Sequence, residues 1–159
     1  MAKILITGTN SFVGTHFMKF SKYKDVNCVS LIENNPHELD FNAYDVVLHL
    51  AAIVHQDKSI SDAAYLGVNR DLSLEVARNA KKAGVGQFVF MSTIKVYGDD
   101  GASKELQDEH SPCTPQEAYG KSKYEAELGL KKMEDPNFKI AIVRTPLVYG
   151  EGVKANMLK

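Results

Sequence analysis

Lys3-Ile4-Leu5-Ile6-Thr7-Gly8-Thr9-Asn10-Ser11-Phe12-Val13-Gly14 opens the chain and decides its fold class. Lys3 to Thr7 is a short apolar run with β-branched residues that ends directly in glycine, the pattern of a buried strand. Residues 11–20 read as a helix with Phe12, Val13, Phe17 and Phe20 available to a sheet. Between the two, Gly8 permits a tight turn and Gly14 lets helix and strand pack closely. The helix N-terminus then offers unpaired N–H groups and the positive end of a dipole, which suits a pyrophosphate. Gly8, Asn10, Ser11, Phe12, Val13 and Gly14 are therefore candidate dinucleotide contacts. A glycine is commoner where Ser11 stands; its hydroxyl either assists the ligand or leaves the backbone further from it. An ordinary glycine turn would look the same, but its place after the first strand favours the dinucleotide.

Outward from this loop, strands and helices alternate. Residues 26–32 and 46–50 are the second and third strand candidates, and residues 59–83 form the longest helical segment. Val68, Leu72, Val76 and Ala80 recur in it at helical spacing, and Gly84 and Gly86 close it. Residues 87–92 are a fourth strand, 99–115 a polar surface loop, 116–134 a helix stopped by Asp135-Pro136, and 139–144 a last strand halted by Pro146. This order predicts an α/β protein: a Rossmann-type, doubly wound parallel sheet with right-handed crossovers and helices on both faces. The linker over 33–45 is too short for a helix plus another strand, so the second crossover is reduced.

Composition narrows the partners. Lysine plus arginine number 19 against 20 aspartates and glutamates, leaving a net charge of −1 and no basic excess for nucleic acid. Cys28 and Cys113 lack metal-ligand spacing and read as reduced thiols of a cytosolic protein. No signal peptide and no membrane-spanning apolar run is legible, so the expected setting is cytoplasmic. His49 and His55, six residues apart with no third ligand in view, suggest no metal site; they read as a strand and a loop histidine.

The chemistry sits further along. The chain has 7 tyrosines, and only Tyr119 is followed four residues later by a lysine, Lys123. On a helix the two stack on one face, and an ammonium beside a phenol lowers the phenol's pKa towards working pH. Such a tyrosine can pass a proton to or from an alcohol oxygen. Glu33, about twenty residues past the glycine loop, stands where an acid would hydrogen-bond the adenosine ribose and favour NAD over NADP. A solvated loop glutamate fits the same position.

With these pieces placed, the chain resembles the extended short-chain dehydrogenase/reductase family, in its NAD-dependent epimerase/dehydratase branch that acts on nucleotide sugars. The blocks that carry the resemblance run in family order. They are Thr7 to Gly14, His49-Leu50-Ala51-Ala52, Val68-Asn69, Met91-Ser92-Thr93-Ile94-Lys95-Val96-Tyr97-Gly98, Tyr119 to Lys123, and Arg144-Thr145-Pro146-Leu147-Val148-Tyr149-Gly150. The resemblance implies Tyr119 as general acid/base, Lys123 as the group that tunes it and holds the nicotinamide ribose, and Thr93 as hydrogen-bond partner of the reacting oxygen. It further implies cofactor contacts at Leu50, Ala51, Ala52 and Asn69, and an adenine contact at Asp40. Each has a plainer reading: Thr93 as a strand-end residue, Asn69 as a structural hydrogen-bonder, Arg144 as an anion ligand or a salt-bridge partner.

The reaction implied is hydride transfer between a sugar carbon and NAD, on a nucleotide sugar such as a UDP-hexose. Dehydratase members carry an Asp-Glu pair after the threonine, where this chain has Ile94 and Lys95. That points instead to hexose 4-epimerases and 4-ketosugar reductases, which the residues do not separate. Residues 1–159 are read as a single NAD-binding Rossmann domain. The family's C-terminal sugar-nucleotide region is missing after the Leu-Val-Tyr-Gly block, so weak or no turnover is expected of this polypeptide alone. A non-catalytic NAD-binding module and a subunit completed by another chain are the alternatives. The resemblance also implies a homodimer through the 59–83 and 116–134 helices, packed as a four-helix bundle.

Overall fold

Parallel pairing of the first strand with neighbours on both sides sets the architecture. The computed structural model describes residues 1–54, 60–98 and 106–153. In it β1 (Ile4–Thr7) lies between β2 (Val26–Val29) and β3 (Val46–His49). β4 (Gln87–Thr93) pairs with β3, and β5 (Lys139–Thr145) closes the far edge, giving the order β2-β1-β3-β4-β5 with every pair parallel. The order reverses at β1, so the switch point, where open α/β sheets take their ligands, falls beside the glycine loop.

Strands buried on both faces need apolar residues at successive positions, and these have them. Ile4, Ile6 and Leu48 point to one face and pack with Phe17 of α1 (Phe12–Phe20) and with Tyr23. Leu5, Val47, Phe88 and Phe90 point to the other. There they meet Val76, Ala77 and Ala80 of α3 (Ser73–Lys82) and Ala126 and Leu130 of α4 (Ala118–Lys131). Helices thus cover both faces, as the alternation predicts. Each large side chain so enclosed contributes about 1.5–3 kcal/mol.

β2 is shorter than its apolar run suggests. It ends at Val29 because Ser30 turns the chain: its Oγ accepts from the Ile32 amide at 3.3 Å, and its carbonyl accepts from Asn34 Nδ2 at 2.9 Å. Ile32 is consequently 98% exposed. From there the chain reaches β3 without a helix or strand, so the second crossover is indeed reduced. Phe41, 2% exposed, anchors that connection in the core.

The long helix departs most from expectation. A single turn, α2 (Asp62–Tyr65), capped by Ser61, runs into a π-helical stretch over Leu66–Leu72 before α3 resumes the α-helical pitch. The wider pitch changes which residues face inward. Val76 and Ala80 are buried as the spacing predicts, but upstream Tyr65, Asn69 and Ser73 take the buried positions instead of Val68 and Leu72. Residue 59, the expected helix start, and the 99–105 part of the expected surface loop lie outside the described residues. Among the described residues no helix is long and apolar enough to cross a membrane.

Candidate functional site

Because all strands run parallel, the chain leaves β1, β3 and β4 along one edge of the sheet. β1 delivers the glycine loop there. Gly8 has φ +110°, and a Cβ on it would lie 2.7 Å from the Ala51 nitrogen, so only glycine lets the turn after β1 touch the turn after β3. Asn10 also takes a positive φ, of 62°. Ser11 serves as N-cap of α1, its Oγ accepting from the Gly14 amide at 3.0 Å. The hydroxyl is thus engaged by its own helix, while the amides of Phe12 and Val13 remain among those that a helix start leaves without intrahelical acceptors. Leu50, Ala51 and Ala52 line the other side, half-buried, and the two alanines have small side chains. A glycine cradle, a capped helix start and this shallow bed fit a pyrophosphate with the rest of a dinucleotide laid across the strand ends.

Glu33 and Asp40 both lie exposed on the connection from β2 to β3, Glu33 four residues beyond the end of β2. Asp40 is exposed and folds back on its own loop, accepting from the Asn42 amide at 3.0 Å and from Asn42 Nδ2 at 2.8 Å. Those bonds hold its carboxyl below the usual carboxylate range.

Asn69 is completely buried in the π-helical stretch. Its Oδ1 accepts from the Ile53 amide at 2.8 Å, and its Nδ2 donates to Ile53 O at 2.9 Å and to Ser122 Oγ at 3.1 Å. Ser122 Oγ in turn donates to Tyr119 O at 2.8 Å. One side chain therefore ties the loop after β3 to the first turn of α4. Asn69 is thus a structural hydrogen-bonder.

α4 carries the expected acid/base pair, Tyr119 and Lys123. A Cβ on Gly120 would sit 2.7 Å from Lys95 O, so glycine here lets the helix start close against the short 3₁₀ turn Ile94–Tyr97 that follows β4. That approach sets Tyr119, half-buried, against Thr93, 7% exposed. Tyr65 stacks obliquely on Tyr119, ring centroids 6.2 Å apart.

Burial pushes the Tyr119 phenol up from its ordinary pKa, and the Thr93 hydroxyl opposes it. Lys123, one turn on, reaches back to the strand. Its Nζ donates to Met91 O at 2.8 Å and lies 4.5 Å from the centre of the Phe90 ring. Only 2% exposed, Lys123 is itself pulled down to about 7 by burial, with Glu127 opposing the fall.

His49 is a buried strand histidine. Ser73 Oγ donates to Asn69 O at 2.8 Å and so receives the His49 Nε2 proton across 2.9 Å. His49 Nδ1 then accepts from Thr7 Oγ1 at 2.7 Å. Among the described residues no cluster of histidine, cysteine and carboxylates could hold a metal, and His55 lies outside them. Arg144 makes a salt bridge, its Nη2 2.7 Å from Glu127 Oε2. Ser92, Ser122 and Glu127 are parts of the site that sequence reading missed. The available signal was the spacing of 119, 123 and 127, one residue per turn on one face.

A separate hollow of about 880 Å³ lies between α4 and β5, lined by Ile94, Tyr97, Lys131, Ile140, Ile142 and Arg144. Neither the glycine loop nor Tyr119 borders it.

Known proteins of similar sequence share this arrangement's fold. The chain is 34% identical over 179 residues to a UDP-glucose 4-epimerase of Vibrio cholerae, covering 96% of this chain and 54% of that one. The solved dTDP-4-dehydrorhamnose reductase of Clostridium acetobutylicum superposes with a TM-score of 0.77 at 32% identity, over 95% of this chain and 55% of its own. The UDP-glucuronic acid 4-epimerase of Bacillus cereus, solved with NAD, shows the same fold with a TM-score of 0.74 at 24% identity, over 93% of this chain and 57% of its own. The chain thus spans about half the length of these relatives. The sequence profile of one enzyme family matches residues 4–158, nearly end to end, and with the glycine edge and the α4 dyad in place this chain belongs to that family, the NAD dependent epimerase/dehydratase family.

Proposed function

We propose that this chain is the NAD-binding, acid/base half of a nucleotide-sugar 4-epimerase or 4-ketosugar reductase. The observation that carries the reading is Tyr119 lying against Thr93 at the C-terminal end of β4, on the same sheet edge as the glycine loop. NAD, when bound, supplies the hydride chemistry. The chain's own part is to hold the dinucleotide at Gly8 to Gly14 and along Leu50 to Ala52, and to move one proton at Tyr119 Oη. Thr93 Oγ1 holds the sugar oxygen beside that phenol, and Lys123 donates to the ribose. A phenol kept protonated by burial is first a proton donor, which suits delivery to the oxygen of a ketosugar as its carbon is reduced.

The relatives support a UDP-hexose or a related 4-ketosugar as substrate, and Ile94 and Lys95 in the 3₁₀ turn supply no acid pair for dehydration. A homodimer through α2, α3 and α4 fits the same reading, and Leu128, 42% exposed on α4, is apolar surface such a contact would cover. A strict monomer by light scattering would count against the dimer.

The function is tested by calorimetric titration with NAD and NADP, followed by single-turnover loss of NADH absorbance with a UDP-4-ketohexose. Binding of the dinucleotide and hydride transfer to the ketosugar are the expected results. Tyr119→Phe should bind NAD equally and lose transfer by about 10²-fold or more. Equal transfer by Tyr119→Phe would overturn the acid/base assignment. Binding of NAD with no transfer to any ketosugar would replace the reading with a non-catalytic nucleotide-binding module.

A further inference from the structure

Tyr65 closes the single turn of α2 and is only 4% exposed. Its place is set by Asn69, about one turn further along the same face, whose Nδ2 donates to Ser122 Oγ on α4 at 3.1 Å. With the two helices pinned there, the residue one turn earlier on each meets the other. Those residues are Tyr65 and Tyr119, their ring centroids 6.2 Å apart and their planes inclined by 60°. That contact needs the Tyr65 ring but not its hydroxyl, since a phenylalanine would pack as well. The Oη is shut off from solvent and has no hydrogen-bond partner among the described residues. Buried hydroxyls are nearly always bonded, and one left unbonded destabilises a folded chain by its desolvation cost. The other buried polar side chains of the same helix face are satisfied. Asn69 bonds Ile53 and Ser122, and Ser73 bonds His49 and Asn69 O. The unbonded phenol thus stands beside the residue expected to move the proton.

The geometry points to Tyr65 as a ligand-binding residue: its buried Oη is held beside Tyr119 to hydrogen-bond a sugar hydroxyl of the bound ligand. That hydroxyl belongs either to a ribose of the dinucleotide or to the hexose of the nucleotide sugar. A hydroxyl suits a phenol because each both donates and accepts. Since Oη is covered in the free chain, the bond forms only as the ligand enters beside Tyr119. The inference rests on the nucleotide-sugar reading of the site and adds α2 to the elements that touch the ligand.

Tyr65→Phe removes one oxygen and keeps the ring, so it isolates the hydroxyl. In the free chain it relieves the unbonded group, and the thermal unfolding midpoint should rise by about 3 °C. Calorimetric titrations with NAD, and of the NAD-saturated chain with UDP-glucose, should then show about tenfold weaker binding of the ligand that carries the oxygen. A loss in the NAD titration assigns a ribose, and a loss in the UDP-glucose titration assigns the hexose. The opposed signs are decisive, because removing a hydroxyl with a structural partner would lower stability and affinity together. A midpoint that stays or falls, or a variant that does not fold, shows that the hydroxyl was already bonded and overturns the inference. A raised midpoint with both affinities unchanged overturns it as well. A parent chain that binds neither ligand overturns the nucleotide-sugar reading and this inference with it, whereas equal binding by parent and variant overturns the inference alone.

Discussion

Tyr119 sits under two opposing influences, burial that holds its proton on and a threonine hydroxyl that favours its release. Removing the second isolates the first. Thr93→Val keeps the β-branched shape of the strand end and should raise the Tyr119 midpoint further, read as the ring-carbon NMR signal absent from Tyr119→Phe. A lowered or unchanged midpoint would show that the hydroxyl does not act on the phenol. His49 gives a second residue-level expectation, this one about stability. Burial holds its ring neutral down to a pKa of about 3, whereas an unfolded chain protonates near the ordinary value of about 6.5. The folded pKa is depressed, so the unfolded state binds the extra proton as pH falls. The contribution is complete above about 6.5 and shrinks below it, by about 2 kcal/mol at about pH 5. Denaturant melts at these two pH values should show that loss, and His49→Gln should reduce it. A parental stability that is flat across the interval would remove the argument.

The elements that position these residues differ in how plainly the sequence announces them. Gly120 and Gly67 make a usable contrast. A methyl at Gly120 would press on Lys95 O, but at Gly67 in the π-helical stretch nothing lies within 4 Å. Gly120→Ala should cost about 1–3 kcal/mol in denaturant unfolding and loosen the seat of Tyr119, while Gly67→Ala should be neutral or stabilise by up to about 1 kcal/mol. Equal effects would mean that the contact with the 3₁₀ turn does not constrain α4. The strands were legible because burial on both faces demands an unbroken apolar run, as in Ile4-Leu5-Ile6 and Val46-Val47-Leu48. Tyr119 and Lys123 were legible because helical spacing is local. The π-helical stretch was not, since Val68, Leu72, Val76 and Ala80 carry the spacing of an uninterrupted α-helix. What turns Asn69 and Ser73 inward is their bonds to Ile53, Ser122 and His49, partners remote in sequence. The same holds for Glu127, whose bonds reach Ser92 and Arg144, 35 and 17 residues away.

At the scale of the whole molecule the sheet is unevenly covered. A parallel sheet is stable when both faces are clothed, and around β1 and β3 they are. β5 stands at an edge with both faces partly open. On one face Ile140 and Ile142 border the hollow beside α4, and on the other Val143, paired in register with Met91, is 41% exposed. Leu147 and Tyr149, just beyond the strand, are 58% and 76% exposed. Apolar surface gathered at one edge is the kind that other chain ordinarily covers. As it stands, residues 1–159 should bind a hydrophobic dye such as anilinonaphthalene sulfonate at this edge. Val143→Lys combined with Leu147→Lys should cut that fluorescence severalfold and reduce self-association in light scattering, because a charge there remains solvated. Affinity for NAD should be unchanged, since neither residue belongs to the glycine loop or to the turn after β3. A parent that binds no dye, or a double variant as bright as the parent, would show that the β5 edge is not the exposed apolar surface of this chain.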